Sequence, residues 1–254
     1  MTGSYLWIRS RTTSTLVATI GLFLSFSVFA NAQEATDSTK RASARPEFSW
    51  DRIPLYMHVR KETSYTDEEV KFLAKFPLIT FEKANGHKDH GSVEAGTLAA
   101  ARAVKALNPS SKILYYRNVF VHYGGYAADK ALTQIPKPML EDRKGNVRLV
   151  RDRVKAYDLS NEEVREWWAN HCRDMTSDPS IDGIFLDGNI KALVPGYLAR
   201  QIGNEKKKQT ISGYHLMMEQ TREAIGPDKL MMANILRARF KDSGLEYLLS
   251  LIHI

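Results

Sequence analysis

Cysteine is almost missing from this sequence. Cys172 stands alone among 254 residues, so a disulfide framework is excluded whatever the redox compartment. A chain of this length does not need one, because it can bury an adequate core. Unbroken apolar runs of 20 residues are also missing, which argues against a permanent transmembrane span. No Gly-rich phosphate loop follows the first predicted strand, which counts against dinucleotide binding. HExxH is absent, as is an HxH at the end of the first strand. His87-Lys88-Asp89-His90 does not supply the converging ligands that a zinc site requires, so no metal and no cofactor are expected. Basic residues exceed acidic ones by seven, but they are scattered. The one run, Lys206-Lys207-Lys208, reads as a solvated loop, and a nucleic-acid partner is not indicated.

The N-terminus has the layout of an export signal. Arg9 and Arg11 precede the apolar stretch Leu16 to Ala30, and Ala30-Asn31-Ala32 places small residues where a signal peptidase cuts. Cleavage is expected after Ala32, giving a secreted or periplasmic protein with no stable membrane span. Removal of 1–32 takes away two arginines and no acids. Residues 33–47 are polar and read as a disordered linker.

From Ile53 onward, short β-rich runs alternate with segments of helical spacing. The runs are Ile53–Val59, Leu78–Phe81, Lys112–Tyr116, Val154–Tyr157, Ile184–Leu186 and Leu230–Ala233. Thr66 with Glu69, and Ser160 with Glu163, have the spacing of capping boxes. Helices are predicted over Ala99–Leu107, after Ser160 with Trp167 and Trp168 packed in the core, and over Tyr214–Ile225. This alternation requires a parallel sheet with helical crossovers. Six units fit either an open parallel α/β sheet or most of a barrel.

In parallel α/β folds the site lies at the carboxyl ends of the strands. Those ends carry His58 and Arg60, Glu82 and Lys83, Arg117 and Asn118, Asp158, Asp187 and Asn189, and Asn234. Carboxylates, amides and guanidinium groups are the side chains that hydrogen-bond sugar hydroxyls. Asp187 is the sharpest of them. Ile184-Phe185-Leu186 leads directly into it, and Gly188 then lets the backbone turn. Partial desolvation at a barrel rim is expected to raise its pKa toward that of a general acid; the alternatives are a helix N-cap or a structural ion pair. Glu82 can equally pair with Lys83, and Asp158 can equally organise the helix start that follows it. In the loop from Val119 to Tyr126, Tyr123 and its aromatic neighbours offer stacking faces for sugar rings or, alternatively, packing.

Two segments carry a resemblance. Tyr157-Asp158-Leu159-Ser160-Asn161-Glu162-Glu163-Val164-Arg165-Glu166-Trp167-Trp168, followed by Ile181-Asp182-Gly183-Ile184-Phe185-Leu186-Asp187-Gly188, is similar to the pattern of glycoside-hydrolase-like TIM-barrel proteins of bacteria. The similarity spans roughly Trp50 to Tyr247. It implies a (β/α)8 barrel, here incomplete with about six units, occupying residues 48–247. It also implies a carbohydrate substrate, with Asp187 as the catalytic carboxylate and Asp158 as the aspartate closing the preceding strand. His58, Arg60, Glu82, Arg117, Asn118, Tyr123, Asp158, Asn189 and Asn234 are the candidate substrate-binding residues. Similar proteins continue beyond Tyr247 into a strand ending in an acidic residue. Here residues 248–254 instead resemble translated sequencing adapter, and a barrel short of its C-terminal end is the expectation. The function expected is hydrolysis of a glycosidic bond between two carboxylates, the second of them Glu82, Asp158 or a residue beyond the tail. A non-catalytic glycan-binding barrel and a hydrolase for non-sugar substrates stand as alternatives.

Overall fold

The computed structural model describes residues 53–234, together with Arg45, Pro46, Trp50 and Asp51. The export signal, nearly all of the linker, the end of the barrel domain and the 248–254 tail lie outside the described residues. The chain divides between Ala42 and Ser43, and every described residue belongs to the second unit. Among the described residues no helix is long and apolar enough to cross a membrane.

Among the described residues seven strands form: β1 (Tyr56–Val59), β2 (Leu78–Phe81), β3 (Lys112–Asn118), β4 (Val121–His122), β5 (Lys155–Ala156), β6 (Gly183–Asp187) and β7 (Leu230–Ala233). The helices are α1 (Asp67–Leu73), α2 (His87–His90), α3 (Val93–Leu107), α4 (Asp129–Leu132), α5 (Glu162–Thr176), α6 (Asn189–Leu193), α7 (Ala199–Ile202) and α8 (Asn204–Ile225). Five strands make one parallel sheet in the order β1-β2-β3-β6-β7. That order follows the sequence without reversal. A doubly wound sheet reverses at a switch point, so this is the wall of a β/α barrel, and among the described residues it is not closed.

The two faces of the wall confirm the winding. Ile79, Phe81, Ile113, Tyr115, Ile184 and Leu186 point outward and pack with Leu73, Val104, Trp168 and Met217 of the helices. The opposite face holds only strand residues: Leu114, Tyr116 and Phe185 are buried there, with Leu78, Leu230 and Met232 beside them. Helices therefore cover one face, as in a barrel, and the other face is its interior. Val164, Trp168, Cys172 and Met175 recur at helical spacing on the buried stripe of α5. α8 packs closely against α5 and its leading loop, because a side chain at Gly213 would strike the Leu159 carbonyl at 1.9 Å.

Some expectations need correction. Val154–Tyr157 is not a barrel strand: β5 pairs antiparallel with β4 in a separate two-stranded ladder. Only five of the six predicted runs thus build the wall. Thr66 and Glu69 do form both halves of a capping box on α1. On α5, however, the N-cap is Asn161, whose side chain accepts from the Glu163 N–H at 3.0 Å. Lys206-Lys207-Lys208 lies within α8, not in a loop. Lys206 pairs with Asp158 at 2.6 Å. Lys207 is buried and donates to the carbonyls of Lys191 and Ala192 at 2.9 and 2.5 Å.

Candidate active site

Strand parity decides what enters the barrel, since successive side chains alternate between faces. On β3, Tyr116 and Asn118 point inward with Phe185 and Asp187 of β6, their neighbours in register. β1 contributes Tyr56 and His58 to the same face, and Glu82 follows the end of β2. Asp187 stands at the carboxyl end of this interior, where the strand-end rule places a site.

Four groups hold the Asp187 carboxylate. The Tyr116 hydroxyl donates to Oδ2 at 2.7 Å, and the Asn118 amide reaches the same oxygen at 3.3 Å. The Asn234 amide donates to Oδ1 at 3.1 Å, and the Gly188 N–H adds a backbone bond. Burial disfavours the charge, but the Tyr116, Gly188 and Asn234 hydrogen bonds and the nearby Lys191 charge outweigh it and keep the pKa below the usual range. The expected upward shift toward a general acid is therefore incorrect. Desolvation is present, but hydrogen bonds to the charged form win. At neutral pH Asp187 is an ionised carboxylate, suited to act as nucleophile, base or stabiliser of positive charge.

Gly188 is required by this geometry. Its φ is +81°, and a Cβ there would lie 2.4 Å from Asn118 Oδ1. Asn118 is itself fixed, accepting from the Phe120 and Val121 N–H groups at 3.1 and 2.6 Å. The turn after β6 and the loop after β3 are thus locked together around the carboxylate.

The aromatic interior continues below. The His58 ring lies 4.9 Å from Phe185, edge to face, and its Nδ1 shares a hydrogen bond with the Tyr56 hydroxyl at 2.8 Å. Burial lowers the His58 pKa; Asp187 opposes that shift and Lys83 adds to it. Lys83 sits over the rings of Tyr116 and Tyr123, 5.3 Å from each centroid, and forms an ion pair with Glu82. Tyr123 is 41% exposed, as befits a stacking surface, whereas Phe120 and Tyr126 of the same loop are buried in packing. Arg60 lies at the rim, paired with Glu62 at 2.9 Å.

Three candidates do not face the interior. Arg117 points outward between sheet and helices, fully buried, with Tyr126, Trp167 and Trp168 rings 4.4, 5.2 and 5.7 Å from its guanidinium carbon. It is the neighbour of Asn118 on one strand, so parity forbids both from reaching the cleft. Asn189 is also fully buried. Its amide donates to the Leu186 and Asn234 carbonyls, and its oxygen accepts from Tyr214, so it ties β6, β7 and α8 together. Asp158 binds the Ser160 N–H and hydroxyl through one oxygen and Lys206 through the other, and so organises the start of α5. Among the described residues no cluster of three or more His, Cys, Asp or Glu is placed to hold a metal.

Tyr116 and Lys83 are central here, yet neither was among the candidate binding residues. Tyr116 could have been found by parity, counting back two residues from Asn118. Lys83 stood in the polar set at the strand ends as a partner for Glu82, and that pair forms.

A family model for hypothetical glycosyl hydrolase family 15 matches residues 105–247, more than half of the chain. The chain belongs to this family. The match to hypothetical glycosyl hydrolase family 15 spans β3 through β7 and so contains Tyr116, Asn118, Asp187 and Asn234. No curated protein matches the sequence. Among solved structures, the glycoside hydrolase domain of PelA from Pseudomonas aeruginosa is similar at 15% identity and a TM-score of 0.47, over 71% of this chain and 59% of that one. The α-galactosidase TtGalA from Thermus thermophilus, in complex with p-nitrophenyl α-D-galactopyranoside, is similar at 18% identity and a TM-score of 0.46, over 74% of this chain and 39% of that one. The chain therefore spans about three fifths of the PelA domain and two fifths of the galactosidase.

Proposed function

We propose that this chain carries the catalytic carboxylate of a secreted glycoside hydrolase, and that Asp187 acts in its ionised form on the anomeric centre of a sugar. The observation that carries the reading is the four-donor cradle around Asp187 at the carboxyl end of a barrel strand, in a chain belonging to a glycosyl hydrolase family. An oxocarbenium-like transition state gains positive charge, and a carboxylate kept ionised stabilises it whether or not a covalent bond forms. The cradle also pre-orients the oxygens, so little reorganisation is needed at the moment of reaction. Tyr123, and Tyr56 and His58 deeper in, supply apolar faces for the C–H groups of sugar rings.

Glycoside hydrolysis also needs a proton donor for the leaving oxygen. Glu82 is the described carboxylate that shares the interior face, and it can carry that proton only when its ion pair with Lys83 opens. It follows Phe81, whose partner in register is Tyr115, so it stands across β3 from Asp187. Incubation of the full chain with a panel of glycans, followed by assay of new reducing ends, tests the reading. Turnover of at least one glycan is the expected result. Binding without turnover would favour the non-catalytic glycan-binding alternative, and neither binding nor turnover would overturn the carbohydrate reading altogether.

A further inference from the structure

The polar groups around Asp187 are not electrically neutral. Lys83 projects over Tyr116, whose hydroxyl holds Asp187, and over the exposed ring of Tyr123. Three further cations act on this cluster. Arg60 and Lys191 both bear on Lys83, and Arg151 bears on Tyr123 and Tyr197. Facing these four are Glu82, Asp187 and, at the rim, Glu62. A neutral sugar presents only hydroxyl groups, which amides and carboxylates bind adequately. A lysine flanked by two tyrosine rings beside the reacting carboxylate is an arrangement that recognises charge.

We propose that the cleft takes an acidic glycan, and that the Lys83 ammonium pairs with an anionic substituent, carboxylate or sulfate, on a sugar ring seated against Tyr123. This inference rests on the glycosidase reading above and names its substrate class. An ammonium has three donors; one goes to Glu82, and an anionic group can engage another. Burial lowers the Lys83 pKa. Asp187 counters this, while Arg60 and Lys191 push it further down. These cations repel one another across a partly dry cleft, and an anionic ligand converts that repulsion into attraction. The chain stays net basic without the two arginines of residues 1–32, which adds a long-range attraction for polyanions.

Calorimetry on the full chain tests this with three oligosaccharide sets of equal length: hexuronate oligomers, their carboxyl-reduced neutral counterparts, and sulfated neutral oligomers. At least one acidic set should bind about tenfold or more tightly than the neutral set, a preference of ~1.4 kcal/mol. The better acidic set identifies the substituent. Added salt should weaken that binding. Lys83→Gln should abolish the preference, bringing the acidic sets to the affinity of the neutral one, and Lys83→Arg should keep most of it; thermal unfolding of each variant confirms the fold. Neutral oligomers binding as well as acidic ones, or a preference that survives Lys83→Gln, would overturn the acidic-substrate inference and leave the glycosidase reading intact. Failure of every set to bind, with no glycan turned over, would remove both.

Discussion

Gly188→Ala probes the lock between β6 and β3 that shapes the site. Two costs can be worked from the geometry. Gly188 has φ +81°, and an L-residue held in the left-handed region loses ~1–2 kcal/mol. The new methyl group would also lie 2.4 Å from Asn118 Oδ1 and 2.8 Å from Nδ2. Asn118 cannot simply swing away, because its oxygen is bonded to two backbone N–H groups. Forced overpacking of this kind costs ~1–3 kcal/mol. The total expected is about 2–5 kcal/mol, measured by urea unfolding with linear extrapolation. A second background separates the terms. In Asn118→Ala the steric term vanishes, so adding Gly188→Ala should cost only the conformational ~1–2 kcal/mol. Equal costs in the two backgrounds, or a cost below ~1 kcal/mol in the parent, would refute the lock.

Two pH experiments follow from the electrostatics. Burial pushes the Lys207 pKa down to about 8, below the ~10.4 of an unfolded lysine. Between those values the unfolded chain holds a proton that the native chain has released, so this group makes stability rise with pH from about 8 to about 10.4. Lys207→Met should remove that rise from a plot of unfolding free energy against pH; an unchanged slope would contradict it. Tyr116→Phe deletes the 2.7 Å bond to Asp187, one of the groups that outweigh burial there. The Asp187 pKa should therefore rise, and the acid limb of the pH–rate profile should move to higher pH. Asp187 contributes stability above its unfolded pKa that is lost as pH falls through its folded pKa, so the variant should also show a smaller loss on acidification.

Much of the wall was legible because buried parallel strands are short apolar runs ending abruptly in polar residues. Leu78–Phe81 and Leu230–Ala233 match their strands end to end, and Gly183–Asp187 extends the predicted run by one residue on each side. Val154–Tyr157 misled for a physical reason. It carries the same β-rich composition, but composition does not reveal the partner, and its partner is β4 in a local ladder. At the site, residue type at a strand end found Asp187, Asn118, Asn234, His58 and Glu82. It could not separate Asn118 from Arg117, which alternation places on opposite faces. Asn189 and Asp158 have the right chemistry in the right place along the chain, yet their hydrogen bonds go to local partners, Leu186 and Ser160, and to Tyr214 and Lys206, the last two brought there by α8 folding back over the sheet. The direction of the Asp187 pKa shift was hidden for a similar reason. Burial is visible in the flanking apolar run, whereas the Tyr116 and Asn234 donors come from neighbouring strands.

The central claim is that the ionised Asp187 carboxylate is part of the chemistry, and Asp187→Asn tests it most directly because amide and carboxylate have nearly the same shape. On whichever glycan the parent hydrolyses, kcat for Asp187→Asn should fall by about a hundredfold to a thousandfold or more, the scale of removing a transition-state charge stabiliser, with glycan binding retained by calorimetry. A variant that keeps kcat within about threefold of the parent, well short of that scale, would remove Asp187 from the mechanism.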